Sequence, residues 1–512
     1  MKNEEKKSVA ESRLKTLAPY LLVVIVSCAM SFYYLLCNPD HLLIFDDSYI
    51  TLKFAAHFFD FRGITYDGSS YLTGATSPLH IILVAILGLF LKMEIASLVI
   101  GISFFIFSSL IVYSWTFKIY NDRRVALVAG IILSTNGWLI YDSLNGLETT
   151  TFICFSLLTF YSYYCFPSKP LYILPLLLSI LTRPEGWFIM CSLWGWQLMQ
   201  FILQRDKKIL KDLLLSIGIF SLAIIPYLLL FHYFTGSPLP STALAKAVFF
   251  AESDFQLSIK FKFLKDGIIF FHKSIYPYPW FIFPLVLFAR RVITLPYLWF
   301  YYIVFYLFYF FFFPGAISHY WYRYQHIFLP LLIMGIVGGA YELIMMSKGK
   351  KLRFLVAACV VVAVVYNQSK PFVNIKNLYT ASIESTQKPI INLAQWLKHN
   401  TPKDALIALH DIGVVGYFSE RRILDLVGII NPEISKHYRN EQPGTALSFS
   451  ERNIINYLKE KEPDYLVMFP EWDRFFNLLQ TTNKKYFQFI HTTPPLFPTE
   501  MRYNVYKCDW TP

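Results

Sequence analysis

The sequence predicts a polytopic α-helical membrane protein of about 11 spans with a C-terminal α/β domain outside the membrane. Three observations predict it. Of 512 residues, 55% are apolar and only 16% are charged, against about 25% charged in soluble domains, and mean hydropathy is +0.44. The apolar residues clump: residues 21–30, 175–182 and 301–313 lie in long stretches almost without charge, and runs of about 20 such residues cross a hydrocarbon core of roughly 30 Å. After residue 366 the chain turns mixed polar and offers no further span. These features exclude an ordinary soluble enzyme, a disordered chain and a small disulfide scaffold.

The first element, residues 17–36, follows a charged N-terminus and lacks a small-residue cleavage site, so it reads as an uncleaved span rather than a signal peptide. Further apolar segments fall at 79–91, 96–117, 125–141, 149–166, 170–181, 186–203, 212–234, 277–289, 294–313, 324–346 and 352–366. Segment 79–91 is short for a span, and charge decides whether it crosses. If it does not, and the N-terminus is inside, the basic clusters of the short loops (at 118–124, 169, 205–211, 290–291 and 348–353) all fall on the cytoplasmic side. If it crosses, every one of them falls outside. The positive-inside rule selects the first arrangement. The outer face then receives residues 37–95, 142–148, 182–185, 235–276, 314–323 and 367–512. The net charge of +12 therefore marks membrane orientation, not a nucleic-acid partner. Residues 1–366 carry 29 basic and 19 acidic groups, whereas 367–512 carry 17 and 15.

In the outer domain, residues 405–409, 422–427, 464–469 and 503–508 read as short strands. Residues 389–400 read as a helix ending before Thr401-Pro402, and 451–462 as one capped by Ser450. The seven cysteines show no CxxC spacing, so neither a zinc site nor a disulfide framework is expected. No inverted-repeat symmetry is visible.

Charges are scarce, so those at the outer face are the informative ones. In F-D-D-S-Y-I-T-L-K (45–53), Asp46 and Asp47 lie just past the first span. A short helix there places Asp46, Tyr49, Lys53 and His57 on one face. That line of carboxylate, phenol, amine and imidazole suits a general base beside a phosphate-binding cation; it equally suits a helix N-terminus with a solvated face. Adjacent carboxylates also offer donors to a divalent ion, and the sequence leaves metal dependence open. Glu148 closes the 142–148 loop, which Asp142 opens, and Arg183 and Glu185 stand between two spans, where ionisable side chains are costly unless paired or lining a cavity. His319, Tyr322, Arg323 and His326 come to another outer edge. Arg323 suits phosphate oxygens or snorkels from an aromatic belt; the two histidines are weak metal candidates. Residues 236–246 bring Lys246 to the outer face. In L-H-D-I-G-V-V-G-Y (409–417) and D-L-V-G (425–428), Asp411 and Asp425 lie at strand ends, facing a ligand or capping turns. There is no P-loop, GxGxxG, HExxH or GxSxG, and no WWDYG, the signature of the oligosaccharyltransferase catalytic subunit.

The ordered set D-D-x-Y-I (46–50), G-x-T-S-P-L (74–79), G-L-E-T (146–149), T-R-P-E-G (182–186), S-P-L-P (237–240) with Lys246, Arg323, and the Asp411 and Asp425 stretches resembles bacterial GT-C glycosyltransferases that use polyprenyl-phosphate sugars. Within that family it is most similar to the branch containing the mycobacterial terminal arabinofuranosyltransferase. Each motif is weak, but their order covers nearly the whole chain. Two positions depart: Lys53 stands where the family usually has Arg, losing the bidentate fork, and His80 stands where an aromatic is frequent.

The resemblance implies a GT-C fold with a catalytic first outer loop (37–95) and a transmembrane domain over 1–366. It also implies inverting transfer of a sugar from a polyprenyl-phosphate donor to an envelope glycan or glycolipid acceptor, at the outer face of a bacterial cytoplasmic membrane. Asp46 would be the base, with Asp47 the close alternative. Lys53, Arg323 and Lys246 would bind donor phosphate. Tyr49, His57, Glu148, Arg183, Glu185, His319 and Tyr322 would shape the sugar or acceptor site. A glycolipid flippase and a non-catalytic glycan-binding assembly protein are the competing readings. A transporter would be expected to concentrate ionisable residues near the midplane of broken helices, not at the outer ends.

Overall fold

A computed structural model describes residues 2–236, 242, 245, 249, 255–275, 285–438, 454–479 and 483–511. The helices used below are α1 (Lys2–Leu35), α2 (Asp46–Phe59), α3 (Pro78–Gly88), α4 (Met93–Tyr120), α5 (Arg123–Ser134), α6 (Gly137–Ser143), α7 (Thr149–Cys165), α8 (Ile173–Thr182), α9 (Gly186–Gln204) and α10 (Lys207–Thr235). They continue with α11 (Leu257–Ile275), α12 (Pro296–Phe312), α13 (Phe328–Met346), α14 (Lys350–Ser382), α15 (Lys388–Asn400), α16 (Gly413–Phe418) and α17 (Ile455–Lys461).

Among the described residues, five helices are long and apolar enough to cross a membrane, or seven if each of two bent pairs forms one span. The full-length ones are α1 from Thr16, α4, α10, α13 and α14. The bent pairs are α5 with α6, at 59°, and α12 with residues 315–325, at 119°. The expected eleven spans are thus not all matched by full-length helices. The 170–181 segment is a one-turn 3₁₀ helix plus the ten-residue α8, and α9 carries Trp187, Trp194, Trp196 and Gln197, which lower its hydropathy. The expected span at 277–289 lies largely outside the described residues. Segment 79–91 forms α3, whose 11 residues reach about 16 Å, half the hydrocarbon core.

The boundary read at residue 366 is crossed by a helix. α14 runs through Tyr366 and, by way of a π-helical turn at Ile383–Gln387, into α15. The outer domain is a five-stranded sheet of order β2-β1-β3-β5-β4. β1 (Leu406–Leu409) pairs in parallel with β2 (Arg422–Asp425) and β3 (Tyr465–Met468), while β5 (Asn504–Cys508) runs antiparallel to β3 and β4 (Phe487–Thr492). Four strands fall where the sequence predicts. The fifth, β4, was not expected: its exposed Gln488, Phe489 and Ile490 break the alternation of a half-buried strand. α17 begins at Ile455; its expected cap, Ser450, lies outside the described residues.

The C-terminal domain sits directly on the loop between α1 and α4. Behind β1 the chain turns at Ile412 into α16, which lies against α2. A Cβ at Gly413 would stand 1.9 Å from the Asp46 carbonyl oxygen, and one at Gly416 would stand 1.8 Å from the Tyr66 hydroxyl. The two glycines of G-V-V-G therefore admit the close approach of the α2 backbone at Gly413 and of the Tyr66 side chain at Gly416. Likewise the Asp425 turn packs on the first loop, with Ile430 and the Ile429 carbonyl against Gly74.

Gly413→Ala is expected to destabilise the docked domain by about 2 kcal/mol or more, since neither backbone can yield. Gly195→Ala, in an open position of α9, is expected to be neutral or slightly stabilising. Thermal unfolding of the two variants, with hydrogen exchange across 413–418, checks the difference.

Candidate functional site

α2 starts with Asp46 and Asp47 in its first turn, where acidic groups favour the helix dipole. The predicted face exists, and it looks at protein. Asp46 Oδ2 accepts the Gly413 N–H and Oδ1 the Val414 N–H, both at 2.7 Å, so its carboxylate spans the first turn of α16. Tyr49 is fully buried, accepts the Leu43 N–H at 3.1 Å, and packs on Tyr417 and Phe418. Lys53 Nζ donates to the Gly416 carbonyl at 2.8 Å and lies 4.3 Å over the Tyr66 ring. Tyr66 in turn donates to the Ile412 carbonyl at 2.6 Å. His57 Nδ1 donates to the Thr65 carbonyl at 2.9 Å and orients no carboxylate. Asp46, Tyr49 and Lys53 thus form a clamp on α16, in which Lys53 and Tyr49, the expected phosphate and sugar contacts, each hold a protein partner.

Asp47, the next residue, is different. It is half-buried and makes no hydrogen bond or ion pair among the described residues. Its charge interacts with Arg323, Tyr320 and Asp46. Arg323 is 6% exposed, and its Nε and Nη1 find no hydrogen-bond partner among the described residues. Its guanidinium is 5.4 Å from each of the Tyr320 and Tyr324 rings, and Tyr320 stacks on Phe45 at 4.2 Å. The 119° fold-back after α12 carries this arginine to the side on which α2 lies, within reach of the Asp47 charge. The segment before it is strained: Tyr320, Trp321 and Tyr322 have φ of +44°, +59° and +67°, at about 1–2 kcal/mol each for side chains of this kind. A buried cation with unmet donors beside an unengaged carboxylate is suited to an anion.

Beneath them lies a buried charge cluster. Arg183 donates to Glu148 Oε1 at 2.9 Å and to Glu185 at 2.5 and 3.2 Å, and the Tyr309 hydroxyl donates to Glu185 at 2.9 Å. All three charged residues are under 10% exposed. The expected Arg183–Glu185 pair is present, and Glu148 joins it while also interacting with Arg323. Two glutamates and two arginines balance, which relieves the cost of burial.

The remaining expectations separate. His326 Nδ1 is 2.6 Å from Asp142 Oδ2, both fully buried, and His319 is exposed against Tyr320 and Tyr324. The two histidines therefore have different partners. Tyr322 is half-buried, near Asp266 of α11. Asp425 accepts the Val427 and Ile430 N–H groups at 2.8 and 2.9 Å, capping its own turn. Asp411 accepts the Tyr503 hydroxyl, lies 3.3 Å from His410 Nε2, and stands beside Asp46. Lys246 lies outside the described residues. Among the described residues no three His, Cys, Asp or Glu side chains converge as a metal site. Sequence reasoning missed Tyr66, Tyr320 and Tyr503. Only Tyr66 carries a local signal, within the turn-rich G-I-T-Y-D-G.

Burial pushes the Asp46 carboxyl well above the usual range. The Asp411 charge adds to this, the two N–H groups oppose it, and Asp47 adds a smaller push. For Asp411, burial is outweighed by the His410 imidazole and the Tyr503 hydroxyl, which hold it low.

A family described as "Domain of unknown function (DUF8728)" matches residues 376–506. No curated protein matches the sequence. Solved structures do share its fold. The chain is similar to the Archaeoglobus fulgidus oligosaccharyltransferase in its apo form, at 12% identity and TM-score 0.55, covering 92% of this chain and 72% of that one. It is also similar to that enzyme in complex with Zn and sulfate, at 14% identity and TM-score 0.53, covering 94% and 72%. A third similar structure is the archaeal oligosaccharyltransferase AglB from Archaeoglobus fulgidus with an inhibitory peptide and a dolichol-phosphate, at 12% identity and TM-score 0.52, covering 96% and 74%. The chain therefore shares the fold of that archaeal oligosaccharyltransferase, although it lacks WWDYG.

The clamp is titratable through Lys53, whose ammonium is pulled from 10.5 to about 8 by burial, with Asp67 opposing. Between those values the unfolded chain binds more protons than the folded one, so stability rises with pH across the window. Thermal unfolding from pH 8 to 10 is expected to show this rise in the wild type and to lose it in Lys53→Met; equal slopes would refute the assignment.

Proposed function

We propose that the protein is an inverting glycosyltransferase that moves a sugar from a polyprenyl-phosphate donor to a hydroxyl of an envelope glycan or glycolipid, at the outer face of a bacterial cytoplasmic membrane. The observation that carries the proposal is the juxtaposition of Arg323, buried with two unmet donors, and Asp47, a carboxylate without a protein partner. The GT-C fold, shared with an archaeal enzyme solved with a dolichol-phosphate, and the ordered motifs support the same reading. The ordered motifs also resemble the branch containing the mycobacterial terminal arabinofuranosyltransferase.

Asp47 is assigned as the base. It accepts the acceptor hydroxyl's proton while the oxygen attacks the anomeric carbon; the carbon–oxygen bond to phosphate breaks on the opposite side, inverting the centre. The negative charge that develops on the phosphate falls to Arg323, whose donors are preorganised away from water. The leaving phosphate needs no strong general acid. Asp46 becomes a positioning residue, since both of its oxygens are engaged by α16. Glu148, held by Arg183, sets the guanidinium of Arg323, and the Arg183–Glu185 pair supports that cluster from below. Asp411, bonded to Tyr503, brings the C-terminal domain beside Asp46, and that domain is assigned to the acceptor side.

Transfer from a polyprenyl-phosphate pentose or hexose to envelope glycan by the purified full chain tests the assignment. Asp47→Asn is expected to lose about 10²–10⁴-fold in turnover, the contribution of a general base, with thermal stability unchanged. Asp46→Asn is expected to lower stability together with activity. Wild-type turnover in Asp47→Asn would overturn the assignment. Arg323→Lys, which keeps the charge and loses the fork, is expected to lose about 10²–10³-fold in kcat.

A further inference from the structure

The opposite ends of α9 and α10 hold a second feature. α9 starts next to Glu185 in the buried charge cluster and its 19 residues carry the chain about 28 Å away, to the start of α10, which is long and apolar enough to cross a membrane. At that far end, between α9 and α10, lies a groove of about 830 Å³ lined by the cations Arg205, Lys207 and Lys211 and by apolar side chains that include Phe201, Leu214 and Leu215.

Three observations give the groove a chemistry. First, no acidic side chain pairs with Arg205, Lys207 or Lys211 among the described residues; Asp206, between them in sequence, accepts the Lys208 N–H at 2.8 Å as the cap of α10. Second, the cations and the leucines are ordered along α10: Lys207 and Lys211 occupy its first turns, and Leu214 and Leu215, both at least half exposed, follow one turn further into the apolar run. Third, Arg205 closes α9 at φ +56°, where glycine is cheaper, so an extended cationic side chain stands at a point the backbone alone would give to a smaller residue. An inorganic anion would use the cations and leave the leucines idle. A headgroup phosphate with an attached acyl chain uses both, and basic pockets between spans are suited to such headgroups.

We propose that this groove binds an anionic phospholipid of the leaflet opposite the candidate site. Arg205, Lys207 and Lys211 hold its phosphate, and one acyl chain lies along Phe201, Leu214 and Leu215. The proposal rests on the membrane character of the chain and is independent of the glycosyltransferase reading. Native mass spectrometry of the full chain, exchanged into mixtures of phosphatidylglycerol and phosphatidylcholine, tests it. The wild type is expected to retain one phosphatidylglycerol that the Arg205→Ala/Lys207→Ala/Lys211→Ala variant loses. Lys211→Gln alone, which leaves both helix ends intact, is expected to weaken the same retention. Lys118→Ala/Arg123→Ala/Arg124→Ala, at another basic cluster, is expected to keep it. Unchanged retention in the first two variants, equal loss in the third, or displacement of the lipid by inorganic phosphate alone would overturn the proposal.

Discussion

The carboxylate of Asp46 capping the first turn of α16 is the contact on which the rest of the outer face depends. It joins residues 367 and 368 positions apart, and it does so in the way a helix N-terminus is most readily satisfied, by an acidic acceptor on free amide groups. The docked helix fixes the outer domain over the first loop. Lys53 on the Gly416 carbonyl and Tyr66 on the Ile412 carbonyl then close the same surface. Both oxygens of Asp46 are engaged by this contact, which is why the proposed function gives the base role to the neighbouring Asp47. On that reading the adjacent acidic pair divides into one residue that holds the architecture and one that does the chemistry.

A second level of organisation lies below. The turns that carry Glu148 and Arg323 come from distant parts of the chain, and two buried contacts bring their supports together: Asp142 with His326, and Ser48 with the Asn145 carbonyl at 2.6 Å. Arg183 and its two glutamates complete this floor. Arg323 retains unmet donors in such a setting only because neighbouring charges and rings hold it where water would otherwise have to follow. The left-handed backbone at 320–322 belongs to the same arrangement, and strain of this kind persists where its surroundings over-determine it.

Much of this was legible in the sequence, and the limit is physical. Apolar runs and charge placement located most helices, including the short α3, because both signals are local. The face shared by Asp46, Tyr49 and Lys53 was also readable from helical spacing. What that face meets was not, since spacing carries no information about a partner more than 360 residues away. The pairing of His326 with Asp142 was hidden for the same reason. Asp425 went the other way: its capping of residues 427 and 430 is local chemistry, and the turn reading of that motif was sufficient. The strand β4 escaped because an edge strand with exposed aromatics has no buried face to impose alternation.

The continuity of α14 into α15 has a mechanical consequence. A 51-residue helical run is a rod of about 76 Å, of which the membrane takes less than half. The outer domain therefore has no flexible tether on its N-terminal side. Its height and tilt over the bilayer are set by the same rod that is anchored in lipid, so bilayer thickness and the seating of that domain on α2 become coupled variables.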